Sequence, residues 1–375
     1  MARWIALLLL LLLAACLRQS EPPLVLGSLV PAGSELELAV RLAVEQANLA
    51  GGVNGRPVQL VVEDAGVGQE GMRQAAERLA EAEVEAVVGT GSEATDLGAA
   101  EALAGLGISL VVPFNFDPGL TLPEGHFRLT PSEAVQGKAL AEVVGRAGIT
   151  EVALLTPEDD PALAESFAEA FPEGSSLRLF TYQDPERVSL GALVEHDPEA
   201  VVCVCRSPEA SALVSAAFRE GLMGRPWYYT AGMHDASLPE LAFSDDPSRL
   251  AGQQGVAFDS SPAPGFERFA DDYREAFGSD PGRPAAHAYD AALLVIVAAE
   301  AGSIQALPAA SQDGQPCVAT DCLALAREGR DLDYEGASGD ADLGEDGAPR
   351  RVRLTIWQYT LGGDVEVIET ISVEP

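Results

Sequence analysis

Short apolar segments alternate with segments of helical periodicity along most of this chain, and this alternation restricts the possible folds more than any other feature. The first candidate strands are almost wholly apolar, as is typical of parallel strands buried on both faces. Strands that alternate with helices form a parallel sheet covered by helices on both sides. The sequence therefore predicts an α/β fold. These strands are expected at 24–30, 58–64, 84–89 and 108–114.

The same alternation restarts after Gly148. Between the new strands, the spacing of apolar residues predicts a helix over 208–221. A long core helix is predicted after them, over 284–302. The final segment alternates around Gly362 and Gly363, which indicates a β-hairpin. Two α/β lobes are predicted, and a cleft between lobes is the usual place for a small ligand. The second set of strands is expected at 150–155, 177–182, 200–205 and 226–231.

The first helix carries recognisable start and stop signals. Ser34 followed by Glu37 fits a capping box, in which both side chains bond to free backbone N–H groups. Gly51 and Gly52 follow the last apolar position of this helix. Because glycine readily adopts the left-handed conformation that ends helices, the helix is expected to stop there.

The N-terminus reads as a secretory signal peptide over 1–15. Arg3 precedes an apolar run that is too short to cross a bilayer of roughly 30 Å. The run ends in Leu-Ala-Ala-Cys at 13–16, which resembles the lipobox of bacterial lipoproteins and predicts lipid modification of Cys16. The alternative is a structural Cys16 after an ordinary signal peptide. Residues 16–23 then form a short lipid-anchored tether, and the protein is expected to be extracytoplasmic.

The charge balance excludes several kinds of partner. The formal net charge is −35, and Lys138 is the only lysine. A chain without a basic patch cannot neutralise a row of phosphates, so neither nucleic acid nor an anionic lipid surface is expected as a partner. Strong acidity keeps a protein soluble, and a monomer is expected.

The five cysteines were assessed for an oxidising compartment. Cys203 and Cys205 point to the same face of a strand, which disfavours a bond between them, and buried free thiols are expected. Cys317 and Cys322 bracket four residues and could close a small disulfide loop. A metal site is the rival interpretation for either pair. With no His at ligand spacing, no metal is predicted.

Several longer segments together resemble a known family. They include LAVEQANLAGGVNGRPVQLVVEDAG, VVGTGSEATDLGAAEALAGLGISLVVPFNFDP, HFRLTPSEAVQGKALAEVV, AYDAALLVIVAA and YEGASGDADLGEDGAP. In this order they resemble the type I periplasmic solute-binding proteins of the branched-chain amino-acid-binding family, in a lipoprotein form. The resemblance implies two Rossmann-like lobes joined by a three-strand hinge, which close on a ligand like a clamp. It also implies a partner, the permease of an ABC-type importer, and no cofactor.

The resemblance divides each lobe into separate segments. Lobe 1 is expected to comprise 24–131 and 258–335, and lobe 2 is expected to comprise 132–257 and 336–375. The three crossings are placed near 128–132, 256–260 and 334–338. Tyr289 and Asp290 are landmarks of the family and are interpreted as structural.

The turn GTGSEATD at 89–96 admits two interpretations. Its glycines fit the fingerprint of a dinucleotide site, but that fingerprint belongs to the first βα turn of its unit, whereas this turn is the third. In the family it resembles, this turn holds the ligand's carboxylate with helix N–H groups and a hydroxyl. Here Glu93 replaces that hydroxyl residue, and Phe116 replaces a threonine. The expected ammonium-binding acid and covering aromatic fall at Ala231 and Pro161.

These departures lead to a specific hypothesis about the ligand. The cleft between the lobes is expected to bind a small polar organic solute, such as an amino acid, an amide or a related compound. The hypothesis is that this solute is neutral or cationic, with Glu93 as the acceptor and Ser92 and Asn115 as hydrogen-bonding partners. The alternative is that Glu93 only complements the dipole of its helix. The residues predicted to contact the ligand are Ser92, Glu93, Phe114, Asn115, Phe116, Arg206, Ser207, Met233 and His234.

Two other classes of function were considered. An enzyme is not expected, because the four histidines are scattered and the chain has no G-x-S-x-G elbow and no phosphate-binding loop. A sensor or regulator that uses the same fold on a membrane or cell-wall partner is the remaining alternative. The loss of the family's ligand contacts favours that alternative.

Overall fold

The computed structural model describes residues 22–64, 68–159 and 161–375. The predicted signal peptide and Cys16 lie outside the described residues. Unit 1 consists of the chain up to Asn115, Leu122–Leu129 and Pro262–Ala348, and unit 2 consists of Phe116–Thr121, Thr130–Ser261 and Pro349–Pro375. Within the part of the chain described, no helix is long and apolar enough to cross a membrane.

Unit 1 is built on a five-stranded parallel sheet with the order β2-β1-β3-β4-β5. The strands consist of almost unbroken apolar residues, because helices cover both faces. Ala86 and Val88 belong to the core formed with the largest helices, whereas Val87 points the other way, towards Leu79. The strands are β1 (Leu24–Ser28), β2 (Val58–Val62), β3 (Ala86–Val88), β4 (Ser109–Val112) and β5 (Phe127–Arg128).

The helices of unit 1 pack around a core in which one helix is buried along nearly its whole length. This helix, α10 (Arg283–Glu300), is the long apolar helix expected from the sequence, and it packs against α1 (Glu35–Leu49). The helices are α1 (Glu35–Leu49), α2 (Gly68–Glu81), α3 (Glu93–Ala104), α9 (Phe266–Phe277), α10 (Arg283–Glu300) and α11 (Asp321–Arg327). A small parallel pair, β11 (Gln315–Cys317) and β12 (Leu332–Tyr334), completes the unit.

The start of α1 follows the predicted capping pattern with one change. Ser34 is the N-cap, and its Oγ accepts a hydrogen bond from the Glu37 N–H at 3.2 Å. The Glu37 carboxylate accepts from the Gly33 N–H at 2.5 Å instead of from Ser34. This bond lowers the pKa of Glu37. The helix ends before Gly51, which has φ +101°.

Unit 2 contains a seven-stranded mixed sheet with the order β14-β13-β10-β9-β8-β6-β7. Five neighbouring strands, β7, β6, β8, β9 and β10, are parallel. At the other edge, β13 pairs antiparallel with β10 and forms the predicted hairpin with β14. The strands are β6 (Glu151–Pro157), β7 (Ser176–Tyr182), β8 (Ala200–Cys203), β9 (Trp227–Tyr229), β10 (Gln254–Phe258), β13 (Val352–Tyr359) and β14 (Val365–Val373). Its helices are α4 (Val135–Arg146), α5 (Ala162–Ala170), α6 (Gly191–His196), α7 (Ser211–Arg219) and α8 (Leu238–Ala242).

The predicted α/β fold class, with parallel sheets flanked by helices in two units, is confirmed. The third crossing differs, because the boundary falls after Ala348 and not near 334–338. Asp290 explains the difference. Its carboxylate accepts hydrogen bonds from the Tyr334 hydroxyl at 2.8 Å and from the N–H groups of Ala337 at 2.9 Å and Ser338 at 2.7 Å. These bonds hold the chain beyond β12 within unit 1.

The disulfides also differ in part from the expectation. Cys317 is paired with Cys322, and their Cα atoms are 5.2 Å apart. Cys203 is paired with Cys205, with Cα atoms 5.4 Å apart, so the prediction of free thiols is wrong. Free thiols are expected only if a regular strand continues through residue 205. Because β8 ends at Cys203, the backbone beyond it is free to bring the two residues within disulfide range.

Candidate functional site

The turn between β3 and α3 places two polar side chains at the carboxyl edge of the unit 1 sheet. Ser92 is the N-cap of α3, is exposed, and makes no capping hydrogen bond with its side chain. Glu93 is the first residue of the helix and is also exposed. Gly91 shapes the turn with φ +68°, and a Cβ atom there would collide with Leu36. The structure therefore brings the predicted Ser92 and Glu93 together on one exposed edge.

Beneath this turn lies a buried polar cluster, which we call the Asp96 network: Thr90, Asp96 and Asn115. The Asp96 side chain accepts from the Thr90 hydroxyl at 2.8 Å and from the Asn115 amide at 2.9 Å. Asp96 and Asn115 are both fully buried. Asn115, predicted as a ligand contact, thus gives its amide to a neighbouring carboxylate. Its backbone carbonyl oxygen accepts from Arg128 at 3.0 Å.

Burial and hydrogen bonding have opposite effects on the pKa of the Asp96 carboxylate. Burial raises the pKa, whereas the hydrogen bonds from Asn115 and Thr90 lower it, and the net shift is upward. A buried carboxylate is costly unless donors compensate it, and here donors reach both oxygens. The sequence analysis missed Thr90 and Asp96. The available signal was an acid in the first turn of a helix that follows a threonine-containing loop.

The two phenylalanines that flank Asn115 lie in different units. Phe114 belongs to unit 1 and meets the His287 ring edge-on, with ring centroids 5.2 Å apart. Phe116 belongs to unit 2 and lies against Phe258, with ring centroids 4.9 Å apart. His287 is buried, and its Nδ1 lies 2.9 Å from the Arg283 carbonyl oxygen, which accepts its proton. Burial lowers the pKa of His287 to about 4, so the ring is neutral near pH 7.

In unit 2, the loop after β8 carries Arg206 and Ser207. The Ser207 N–H donates to the Gly232 carbonyl at 2.9 Å, and its hydroxyl donates to Asp235 at 2.5 Å. The Ser207 hydroxyl lowers the pKa of Asp235, so this acid is ionised. Arg206 is largely exposed, with a nitrogen 3.7 Å from a Glu133 carboxylate oxygen. These groups form a charged and hydroxyl-bearing edge at the carboxyl end of the unit 2 sheet.

The loop after β9 carries the other predicted contacts, Met233 and His234. The Met233 side chain is fully buried in the core, which differs from its predicted contact with a ligand. Its carbonyl oxygen accepts from the Tyr359 hydroxyl. His234 is exposed, its ring centroid is 5.3 Å from that of Trp357, and partial desolvation lowers its pKa. Only His234 of this pair presents its side chain at the surface.

Two further positions explain why the ligand contacts expected from the resemblance are missing. Ala231 has no carboxylate, and its N–H donates to the Gln136 side chain at 2.6 Å. Pro161 is exposed just before α5 and has no aromatic ring. The sequence offered no local signal for Gln136, which is buried on α4 and lies far from Ala231 along the chain.

One group of carboxylates has the spacing of a metal site. Asp333, Asp340 and Asp342 place oxygen atoms within 4.8 Å of one another near the end of β12. In a chain with a net charge of −35, carboxylates often lie this close together without binding an ion. We assign this group no role in the function.

Comparison with known proteins identifies the fold independently. A family model described as "Periplasmic binding protein" matches residues 26–358. A Rhodospirillum rubrum structure named for a branched-chain amino acid ABC transporter is 21% identical with a TM-score of 0.70, and covers 92% of this chain and 100% of its own. The search of curated proteins found no match.

Two ligand-bound structures are also similar. The branched-chain amino acid transporter substrate binding protein of Streptococcus pneumoniae, in complex with isoleucine, is 21% identical with a TM-score of 0.56 over 94% of this chain and 100% of its own. A Rhodopseudomonas palustris solute binding protein in complex with 4-hydroxybenzoate is 16% identical with a TM-score of 0.59 over 95% of this chain and 98% of its own. At these identities the likeness shows the fold alone.

Proposed function

Because the chain belongs to the periplasmic binding protein family, we propose that it captures a small polar organic solute for an ABC-type importer. The solute is neutral or cationic, and it binds outside the carboxyl ends of the parallel strands. Family membership supports solute capture and an extracytoplasmic location. The solute class rests on the chain's own residues.

The β3–α3 turn is the observation that carries the proposal. Ser92 and Glu93 stand exposed side by side at the start of α3, with no capping bond from the Ser92 hydroxyl. The hydroxyl donates to or accepts from a polar solute, and the carboxylate accepts from its N–H or O–H groups. In unit 2, Arg206 and His234 are likewise exposed, and a nitrogen of Arg206 lies 3.7 Å from a Glu133 carboxylate oxygen.

The charge of Glu93 selects against carboxylate solutes. Two unit charges 4 Å apart repel by about 4 kcal/mol at an effective dielectric constant of about 20. A penalty of that size lowers affinity by roughly a thousandfold. A cation at the same place gains a comparable attraction before it pays for desolvation. Isoleucine and 4-hydroxybenzoate, bound by the similar proteins, both carry carboxylates, and this chain is expected to prefer other solutes.

Lipid anchoring is a separate part of the proposal. It is supported by the Leu-Ala-Ala-Cys sequence that ends the N-terminal apolar run. Processing at that site leaves Cys16 as the modified first residue. Mass spectrometry of the N-terminal peptide from the native membrane fraction tests this directly, and an unmodified or internal Cys16 would exclude it.

Thermal unfolding of the protein lacking residues 1–16 tests solute capture. The panel comprises amides, polyamines, amino acids, short-chain acids and small peptides, after a refolding step that removes bound solute. A solute at about 100 times its dissociation constant adds about 2.7 kcal/mol, which raises the midpoint by a few degrees. We expect amides or polyamines to give the shift.

Two variants separate the role of Glu93 from a general charge effect. Glu93→Gln removes the carboxylate and is expected to weaken cation binding by tenfold or more, the loss of roughly 1.4 kcal/mol. Glu101→Gln removes an equal charge from an exposed position on the same helix and is expected to leave binding unchanged. If no compound in the panel shifts the midpoint, the sensor or regulator alternative replaces solute transport.

A further inference from the structure

Several buried polar groups of unit 1 are not used in the proposed contact with the solute. The Asp96 network is the richest such cluster beside the proposed site. Its three members come from the end of β3, the first turn of α3 and the segment after β4. It therefore connects the ends of β3 and β4 with the first turn of α3, beside Ser92 and Glu93.

The hydrogen-bond directions within the network follow from the number of available protons. The Thr90 hydroxyl has one proton, and a charged acceptor makes the strongest bond, so it donates to Asp96 at 2.8 Å. The Thr90 oxygen then accepts from the Ser92 N–H at 3.1 Å, and it lies 2.7 Å from the Thr95 hydroxyl oxygen. The Asp96 carboxylate thus fixes the Thr90 rotamer, and Thr90 fixes the backbone of Ser92.

A second set of bonds attaches the network to the neighbouring strand. The Asn115 amide donates to the other Asp96 oxygen at 2.9 Å, and the Thr90 N–H donates to Asp96 at 3.2 Å. Arg128 of β5 donates to the Asn115 backbone carbonyl oxygen at 3.0 Å. One buried carboxylate, that of Asp96 in the first turn of α3, therefore links the ends of β3, β4 and β5.

We propose that Asp96 is a positioning residue, which holds Ser92 and Glu93 in the geometry that meets the solute without touching the solute itself. This inference rests on the proposed function of the same turn. It adds that affinity and selectivity depend on the bond between Asp96 and Asn115. Burial of both side chains supports an indirect role.

The two side chains can be exchanged, and this provides the decisive test. Asn115→Asp alone places two carboxylates at the former 2.9 Å contact, where they repel. Adding Asp96→Asn restores one carboxylate and one amide, with their positions swapped. The new amide at position 96 then donates to the new carboxylate at position 115, and the amide oxygen still accepts from Thr90. Glu101→Gln, on the exposed side of the same helix, serves as the charge control.

Hydrogen exchange measures positioning without any solute. In Asn115→Asp we expect the amides of residues 90–96 to exchange about tenfold faster or more, while those of β2 change by less than about twofold. In the double variant the rates should return to within about threefold of the original protein. Uniform loss of protection throughout unit 1, or a double variant no better than Asn115→Asp, would show that the pair only stabilises the fold.

Binding is measured on the same proteins with two probes, putrescine as a cation and acetamide as a neutral amide. We expect a probe that shifts the midpoint of the original protein to lose this effect in Asn115→Asp and to regain it in the double variant. Rescue of exchange without rescue of binding would overturn the positioning role. If neither probe acts on the original protein, the proposed solute class fails, and the exchange measurements alone decide whether Asp96 positions the turn.

Discussion

Replacement of His287 should reduce the sensitivity of unit 1 to mild acid. The buried His287 ring has a pKa of about 4 in the folded protein, against 6.5 for the unperturbed side chain. Because the folded pKa is depressed, the neutral ring contributes stability that is fully present above pH 6.5. This stability is lost as the pH falls from about 6.5 towards 4, since the unfolded chain takes up the proton first.

The size of the effect follows from these two values. The full difference of about 2.5 pH units corresponds to about 3.4 kcal/mol in the acid limit. Between pH 7.5 and pH 5 the unfolded state gains about 2 kcal/mol relative to the folded state from this residue alone. His287→Gln retains a side-chain donor for the Arg283 carbonyl and removes the titration. Its stability should therefore fall by about 2 kcal/mol less than that of the original protein over this pH range.

Urea denaturation at the two pH values, followed by far-ultraviolet circular dichroism, measures the difference. Tryptophan fluorescence is unsuitable, because Trp227 and Trp357 both belong to unit 2, whereas His287 belongs to unit 1. Phe114→Leu is the control, since it removes the ring that meets His287 and leaves the histidine in place. The control should lose stability at both pH values and keep most of the pH dependence, because the histidine still titrates. An equal pH dependence in His287→Gln and the original protein would refute the reasoning.

Two further substitutions test packing and capping. In thermal unfolding, Gly255→Ala should destabilise unit 2 by about 1–3 kcal/mol, because the new Cβ would collide with the Trp357 ring. The control Gly224→Ala has open space around its new Cβ and should change stability by less than about 0.5 kcal/mol. Ser34→Ala should cost about 1 kcal/mol through the lost bond to the Glu37 N–H, and Ser34→Asp should retain most of that stability. Equal melting of the two glycine variants, or of Ser34→Ala and the original protein, would contradict these assignments.

The fold followed from the sequence because its main signals are local. Apolar runs of strand length and the 3.6-residue periodicity of the helices are each contained within one element. The Ser34 cap is similarly local, and the side chain bonds as predicted. Only the donor to Glu37 differs by one residue: it is the Gly33 N–H, because the Ser34 N–H donates to the Pro31 carbonyl oxygen at 3.1 Å.

The site was less predictable because its geometry depends on partners that are distant in sequence. Asn115 was expected to face a ligand, and its burial depends on Asp96, nineteen positions away. Met233 follows a strand end, which usually indicates a site, but the short helical turn there directs it into the core. The early end of β8 likewise allowed Cys203 and Cys205 to pair.

The packing of α10 against α1 has a consequence for folding during synthesis. The apolar face of α1 is made early, but α10, which covers it, is translated only after most of the chain. At about 5–20 residues per second, the interval between the two helices is on the order of ten seconds or more. During this time unit 1 cannot complete its core. The order of the elements thus delays completion of this core until late in translation.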